Sequence, residues 1–142
     1  MKKIKNKVAF SDKRGEITDL IQKDNINAVT HITIKKGAIR GNHYHKKTIQ
    51  WNYVLSGKLK LITQFKGKKK KSLIMNKGDL VASEPMESHA LVGVTNCELL
   101  VFTKGPRGGK EYENEREVKI FPVQLKDEAI NLFREYLKKT II

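Results

Sequence analysis

The stretch Gly37-Ala-Ile-Arg-Gly-Asn-His43-Tyr-His45, with Gln50 and Gly57 downstream, decides how this chain is read. His43 and His45 are two residues apart. Side chains along a β-strand alternate between faces, so residues i and i+2 share one. The spacing therefore predicts two imidazoles side by side. Imidazole titrates near neutrality and is a common metal ligand, so the pair points to proton transfer or to metal binding. As packing groups, two histidines on one face contribute little. A third, His89, closes a second strand-like segment, Gly78-Asp-Leu-Val-Ala-Ser-Glu-Pro85-Met-Glu-Ser-His89. His31 stands alone in Val29-Thr-His-Ile-Thr-Ile34 and reads as a structural or merely exposed residue.

The intervals matter as much as the residues. Five residues separate Gly37 from His43, four separate His45 from Gln50, and six separate Gln50 from Gly57. This resembles the first conserved motif of the cupins. The second cupin motif starts at a Gly and reaches its His eleven positions later, the interval from Gly78 to His89. The resemblance runs from about Val29 to Phe102. It implies an all-β fold, a single cupin (jelly-roll) barrel. Three departures stand out: Gln50 where many metal-binding members carry Glu, Pro85 one place late with Glu87 in place of Gly, and Gly93 for Asn.

Within the cupins, three segments are most similar to the dTDP-sugar 3,4-ketoisomerases: Arg40-Gly-x-His-x-His-Lys46, Gln50, and Pro85-Met-x-x-His89. Asp12-Lys-Arg-Gly15 resembles the opening segment of these sugar-modifying cupins. The cupin epimerases of capsule and surface-polysaccharide pathways come next. This resemblance implies that His43 and His45 are the catalytic histidines, that no organic cofactor or metal is required, and that the chain pairs as a homodimer.

Composition narrows the partners. The chain of 142 residues suits one domain, 1–142, with a real core. No run of 18 apolar residues exists, so no membrane span is expected. The start, Met1-Lys-Lys-Ile-Lys-Asn-Lys-Val, is basic but lacks the apolar stretch of a secretory signal. The one cysteine, Cys97, excludes an internal disulfide, fits a reducing cytoplasm, and sits among apolar residues as a packing group. The net charge of +14 should attract anions. Its densest cluster, Lys66-Gly-Lys-Lys-Lys-Lys71, lies between two apolar runs and reads as a solvated hairpin turn. Nucleic acid is not the expected partner, since no aromatic residues interleave with the lysines. A nucleotide-sugar pyrophosphate, or another anionic small molecule, would benefit from the same field.

Apolar alternation predicts strands near 29–35, 49–55, 58–65, 71–75, 79–83, 89–95 and 97–103, a barrel core of about 29–103. Asp12–Gly15 reads as a turn and 16–21 as a short strand. Lys104-Gly-Pro-Arg-Gly-Gly-Lys110 reads as a loop leaving the last strand. Ala129, Ile130, Phe133 and Leu137 share one face of a predicted C-terminal helix over about 126–139, with acids at its start and lysines at its end.

Three functions follow. The first is an isomerase or epimerase of a nucleotide-linked keto-deoxy sugar, with His43 or His45 as base. There Tyr53 is a proton donor if it faces inward, Arg40 or Lys46 holds phosphate or enolate oxygen, and Gln50 and His89 position substrate. Glu84 and Glu87 flank Pro85 as further candidate acids. The second is a metal-dependent cupin in which His43, His45, His89 and, more weakly, Gln50 hold Fe, Mn, Ni or Zn for dioxygenase, lyase or isomerase chemistry. The third is a non-catalytic small-molecule-binding barrel.

Overall fold

Alternation of inward and outward side chains along each strand builds two facing sheets. The structure, a computed structural model, describes residues 1–106 and the strand at 116–118. In chain order the strands are β1 (Lys2–Ile4), β2 (Val8–Asp12), β3 (Gly15–Thr18), β4 (Ala28–Ile34), β5 (Ile39–His45) and β6 (Ile49–Ser56). They continue with β7 (Leu59–Phe65), β8 (Lys71–Met75), β9 (Leu80–Ser83), β10 (Glu87–Gly93), β11 (Cys97–Lys104) and β12 (Arg116–Val118). One sheet has the order β1-β9-β6-β11-β4 and the other β12-β5-β10-β7-β8; β2 and β3 form a separate hairpin. Every pairing is antiparallel.

Leu59 and Leu61 of β7, Leu91 of β10, Val54 of β6 and Leu99 and Val101 of β11 meet between the two sheets in one buried cluster. Burying each such side chain is worth about 1.5–3 kcal/mol. The outer face of the first sheet is also covered. Trp51, Leu80 and Ala82 pack there with Tyr53, Phe102 and the segment carrying Leu20, Ile21 and Ile26.

All seven predicted core strands are present, with small shifts at their ends. Four strands fall outside those predicted from apolar alternation: β1, β2, β5 and β12. β1 has three residues and rides on the edge strand β9. β2 pairs with β3 around the predicted turn, and β3 ends at Thr18, short of the predicted 21. β5 carries the histidine pair itself; its mostly polar sequence lacks the apolar alternation used to find the others. The helix expected over 126–139 and most of the 104–110 loop lie outside the described residues.

Candidate active site

Each inward face changes character along its length. On β6 the inward residues run Gln50, Asn52, Val54; on β10 they run Glu87, His89, Leu91. On β7 the order is Thr63, Leu61, Leu59, and on β11 it is Thr103, Val101, Leu99. Cross-strand register brings like with like. Gln50 stands between Ser83 and Thr103, and His89 stands between Thr63 and His43. One end of the interior is therefore polar and the other apolar.

The three histidines converge at the polar end. His43 pairs directly with His89 across β5 and β10, next to a β-bulge. The extra residue is Asn42, held at φ +63 after Gly41 at φ +83. A Cβ at Gly41 would lie 3.1 Å from the His89 carbonyl oxygen and 3.4 Å from His89 Cδ2, so the close approach of the strands here needs glycine. Beyond the bulge β5 is regular, and His43 and His45 share a face. Their Nε2 atoms are 3.1 Å apart, within hydrogen-bond distance. Such a contact needs one ring to donate and the other to accept. The ring centroids of His43 and His89 lie 4.8 Å apart, edge to face, and those of His45 and His89 lie 5.5 Å apart, stacked.

His89 is buried, and burial pushes its imidazole down to about 3; positive charge on His43 and His45 would add to the effect, against a smaller opposing pull from the Glu87 backbone. It is neutral at physiological pH. A cavity of about 180 Å³ opens beside it, walled by Arg40, Gly41, His43, Gln50, Asn52 and His89, with Leu91 and Val101 behind. Arg40 is tethered through Nε, which donates to the Thr33 carbonyl at 3.0 Å. Asn52 Nδ2 donates to the Val81 carbonyl at 3.2 Å. Ligand nitrogens of His43, His45 and His89 all lie within 4.8 Å of one another.

The predicted residues divide accordingly. His43, His45, His89, Gln50 and Arg40 come together. Lys46 is exposed just beyond β5 and does not wall the cavity. Tyr53 is the clear departure: it lies with Trp51 in the outer apolar cluster, because β6 alternates and Gln50 and Asn52 take the inward positions. Glu84 is exposed, whereas Glu87 is buried, its carboxylate taken by the Met1 ammonium and by the Glu84 N–H. His31 is exposed and meets Glu98 across β4 and β11 at 2.9 Å. Asn52 was missed, although the two-residue spacing from Gln50 carries the same signal as that from His43 to His45. Among the described residues no helix is long and apolar enough to cross a membrane.

Comparison with solved structures finds this fold elsewhere. QdtA, a sugar 3,4-ketoisomerase from Thermoanaerobacterium thermosaccharolyticum crystallised with TDP, matches with a TM-score of 0.66 at 25% identity, over 92% of this chain and 93% of that one. A 3,4-ketoisomerase from Helicobacter canadensis matches with a TM-score of 0.66 at 20% identity, over 92% of each chain. The rmlC epimerase of Mycobacterium tuberculosis matches at 0.67 and 10% identity, over 82% of this chain and 66% of that one. This is the cupin fold that the two motifs imply. No curated protein sequence matches significantly. The family model described as the polysaccharide biosynthesis C-terminal domain matches residues 10–104, a span that holds both motifs and all three clustered histidines. The chain belongs to that family.

Proposed function

We propose that this chain is an enzyme that isomerises or epimerises a nucleotide-linked keto sugar by moving a proton next to its carbonyl. The observation that carries this is the 3.1 Å contact between the buried His45 and His43, which lines the cavity. A hydrogen on the carbon beside a carbonyl is weakly acidic, and its removal needs a base within hydrogen-bond reach and a partner for the enolate oxygen. The paired rings offer a lone pair and a proton at one place. One imidazole takes the proton, and the electrons of the broken C–H bond move onto the carbonyl oxygen. Return of a proton to the same carbon from the other face gives the epimer. Return to the former carbonyl carbon, with loss of the neighbouring hydroxyl proton, shifts the ketone by one position.

The surrounding groups suit a sugar. Gln50 and Asn52 present amides to hydroxyl groups, neutral His89 orients the ring, and the Arg40 guanidinium sits at the wall as a cation for phosphate or enolate oxygen. The net charge of +14 draws in a pyrophosphate. The test uses TDP-4-keto-6-deoxyglucose, which a histidine-to-asparagine variant of QdtA holds in its crystal structure. In deuterated water, proton NMR should show a new keto sugar and deuterium at the reacting carbon. Neither exchange nor product with this or other nucleotide-linked keto sugars would overturn the reading.

The imidazole spacing also favours a second reading. Two ligand nitrogens about 2.1 Å from one ion and at right angles lie about 3 Å apart, close to the His43–His45 separation. His43, His45, His89 and Gln50 would hold Fe, Mn, Ni or Zn, which would act as a Lewis acid toward a carbonyl oxygen. Elemental analysis of protein purified without a metal-affinity tag, with turnover measured before and after chelation, separates the two. Metal-free protein that still turns over supports proton transfer by the histidines alone. Stoichiometric metal whose removal abolishes turnover supports the metal reading.

A further inference from the structure

The mechanism above leaves several buried polar atoms unused. Among the described residues Thr63 Oγ1, Ser83 Oγ and Thr103 Oγ1 are buried without a hydrogen-bond partner, and His89 Nδ1 is buried with no well-formed hydrogen bond, the Glu87 backbone exerting only a weak pull on the ring; all four belong to the polar end of the interior. Buried polar groups in folded proteins are nearly always paired. Two of these four belong to directly opposed residues: Thr63 of β7 pairs with His89 of β10. Thr63 is 1% exposed and His89 is 5% exposed, so bulk water serves neither.

The orientation of the His89 ring connects them. β10 lies between β5 and β7. The Cδ2 edge of the ring faces β5, where it would touch a Cβ at Gly41. Cδ2 and Nδ1 flank the same ring carbon, so the Nδ1 edge turns away from β5, toward β7 and Thr63. Directly opposed strand residues have Cβ atoms about 4.5–5.5 Å apart. Nδ1 and Oγ1 are each within two bonds of their own Cβ, and threonine has alternative staggered rotamers. In the structure the two atoms are not hydrogen-bonded, and a change of the Thr63 rotamer is the movement that would join them.

We propose that Thr63 is a positioning residue for His89, its hydroxyl accepting the Nδ1–H hydrogen bond and fixing the ring with the Nε2 lone pair toward the cavity. The hydrogen bond made by one ring nitrogen sets which nitrogen carries the proton. With Nδ1–H committed to Thr63, Nε2 is left to accept from a substrate hydroxyl. The aliphatic surroundings do not supply this: Leu61 and Leu91, the next inward pair along the same two strands, carry no polar group.

The consequence for turnover rests on the sugar reading above, whereas the ring-proton assignment does not. The full chain, labelled with ¹⁵N in its histidine rings, is studied by nitrogen–proton correlation NMR alongside Thr63→Val and Thr63→Ser. In the wild type His89 should be a single tautomer protonated at Nδ1. Thr63→Val keeps the side-chain shape, removes the hydroxyl, and should give a mixture of tautomers; Thr63→Ser should restore the single form. Turnover in Thr63→Val should fall on the order of 10-fold in kcat with KM nearly unchanged, as for other supporting groups behind a site histidine, and Thr63→Ser should recover it. An unchanged His89 tautomer in Thr63→Val, or a wild-type ring protonated at Nε2, overturns the proposal. If the wild type turns over no keto sugar, the functional reading falls, while the NMR comparison still decides the role of Thr63.

Discussion

Protonating His89 in the folded protein should be costly enough to appear as a pH dependence of stability that one substitution removes. Burial holds this imidazole at about 3 against 6.5 for an unperturbed histidine. The folded value is the depressed one, so as pH falls the unfolded chain binds the proton first. The stability tied to neutral His89 is therefore complete above about 6.5 and is lost progressively down to about 3. Each pH unit inside that window removes about 1.4 kcal/mol. The loss is roughly 2 kcal/mol between pH 6.5 and 4.5, since the unfolded imidazole is already half protonated at 6.5, and about 5 kcal/mol over the full window. Carboxylates also titrate at the acid end, so the informative quantity is the difference between the wild type and His89→Gln. Urea unfolding of chelator-treated protein at pH 7.5, 6.5, 5.5 and 4.5 measures it, with equal slopes ensuring that midpoints report stability. The advantage of the wild type, or its deficit, should shift toward the variant by roughly 2 kcal/mol between pH 6.5 and 4.5. Parallel stability curves would refute the claim that His89 is buried and neutral.

Three further outcomes are expected. His43→Asn and His45→Asn should each lower turnover of a nucleotide-linked keto sugar by about 10²–10⁴-fold with an unchanged far-UV circular dichroism spectrum; wild-type rates in both would remove the pair from the mechanism. Met86 occupies the third position of the Glu84–Glu87 turn at φ +68, after Pro85, with the Glu87 N–H bonded to the Glu84 carbonyl at 3.2 Å. Glycine suits that conformation, so Met86→Gly should stabilise by about 0.5–1 kcal/mol in thermal unfolding, and a destabilised variant would show that the side chain is needed. Gly57 lies at φ +77, where an added Cβ would overlap the Asn96 carbonyl oxygen and approach Cys97 Cβ to 2.8 Å. Gly57→Ala should cost about 3 kcal/mol, read as a lowered urea midpoint, and a midpoint equal to that of the wild type would contradict the tight packing of this turn.

The histidine cluster was legible because its cause is local. Two residues at i and i+2 share a face whatever the strand pairs with, so His43 and His45 could be placed together before any partner strand was known. The same parity bears on Tyr53: with Gln50 turned inward, an odd offset puts Tyr53 outward, beside Trp51. What local pattern lacks is the identity of the inward face, and β6 carries plausible residues on both. β5 lacks the apolar alternation of the other core strands for a related reason. Its side chains serve the site, so they are polar where a core strand would be apolar.

Register is the information that a local pattern does not hold, and most of the site depends on it. Thr63, Ser83 and Thr103 are unremarkable in sequence, and only pairing sets them beside His89 and Gln50. A slip of one residue in β7 would turn Leu61 and Thr63 outward and bring Ile62 or Gln64, according to its direction, against His89, exchanging a small hydroxyl for a larger group. The apolar end resists that slip, because Leu59 and Leu61 would leave the central cluster, and uncovering each costs about 1.5–3 kcal/mol. The core thus fixes the register of the polar end, although those leucines lie outside the wall of the cavity. On this argument a core substitution such as Leu61→Ala, which weakens the hold on β7, should disturb the environment of His89 before it unfolds the chain.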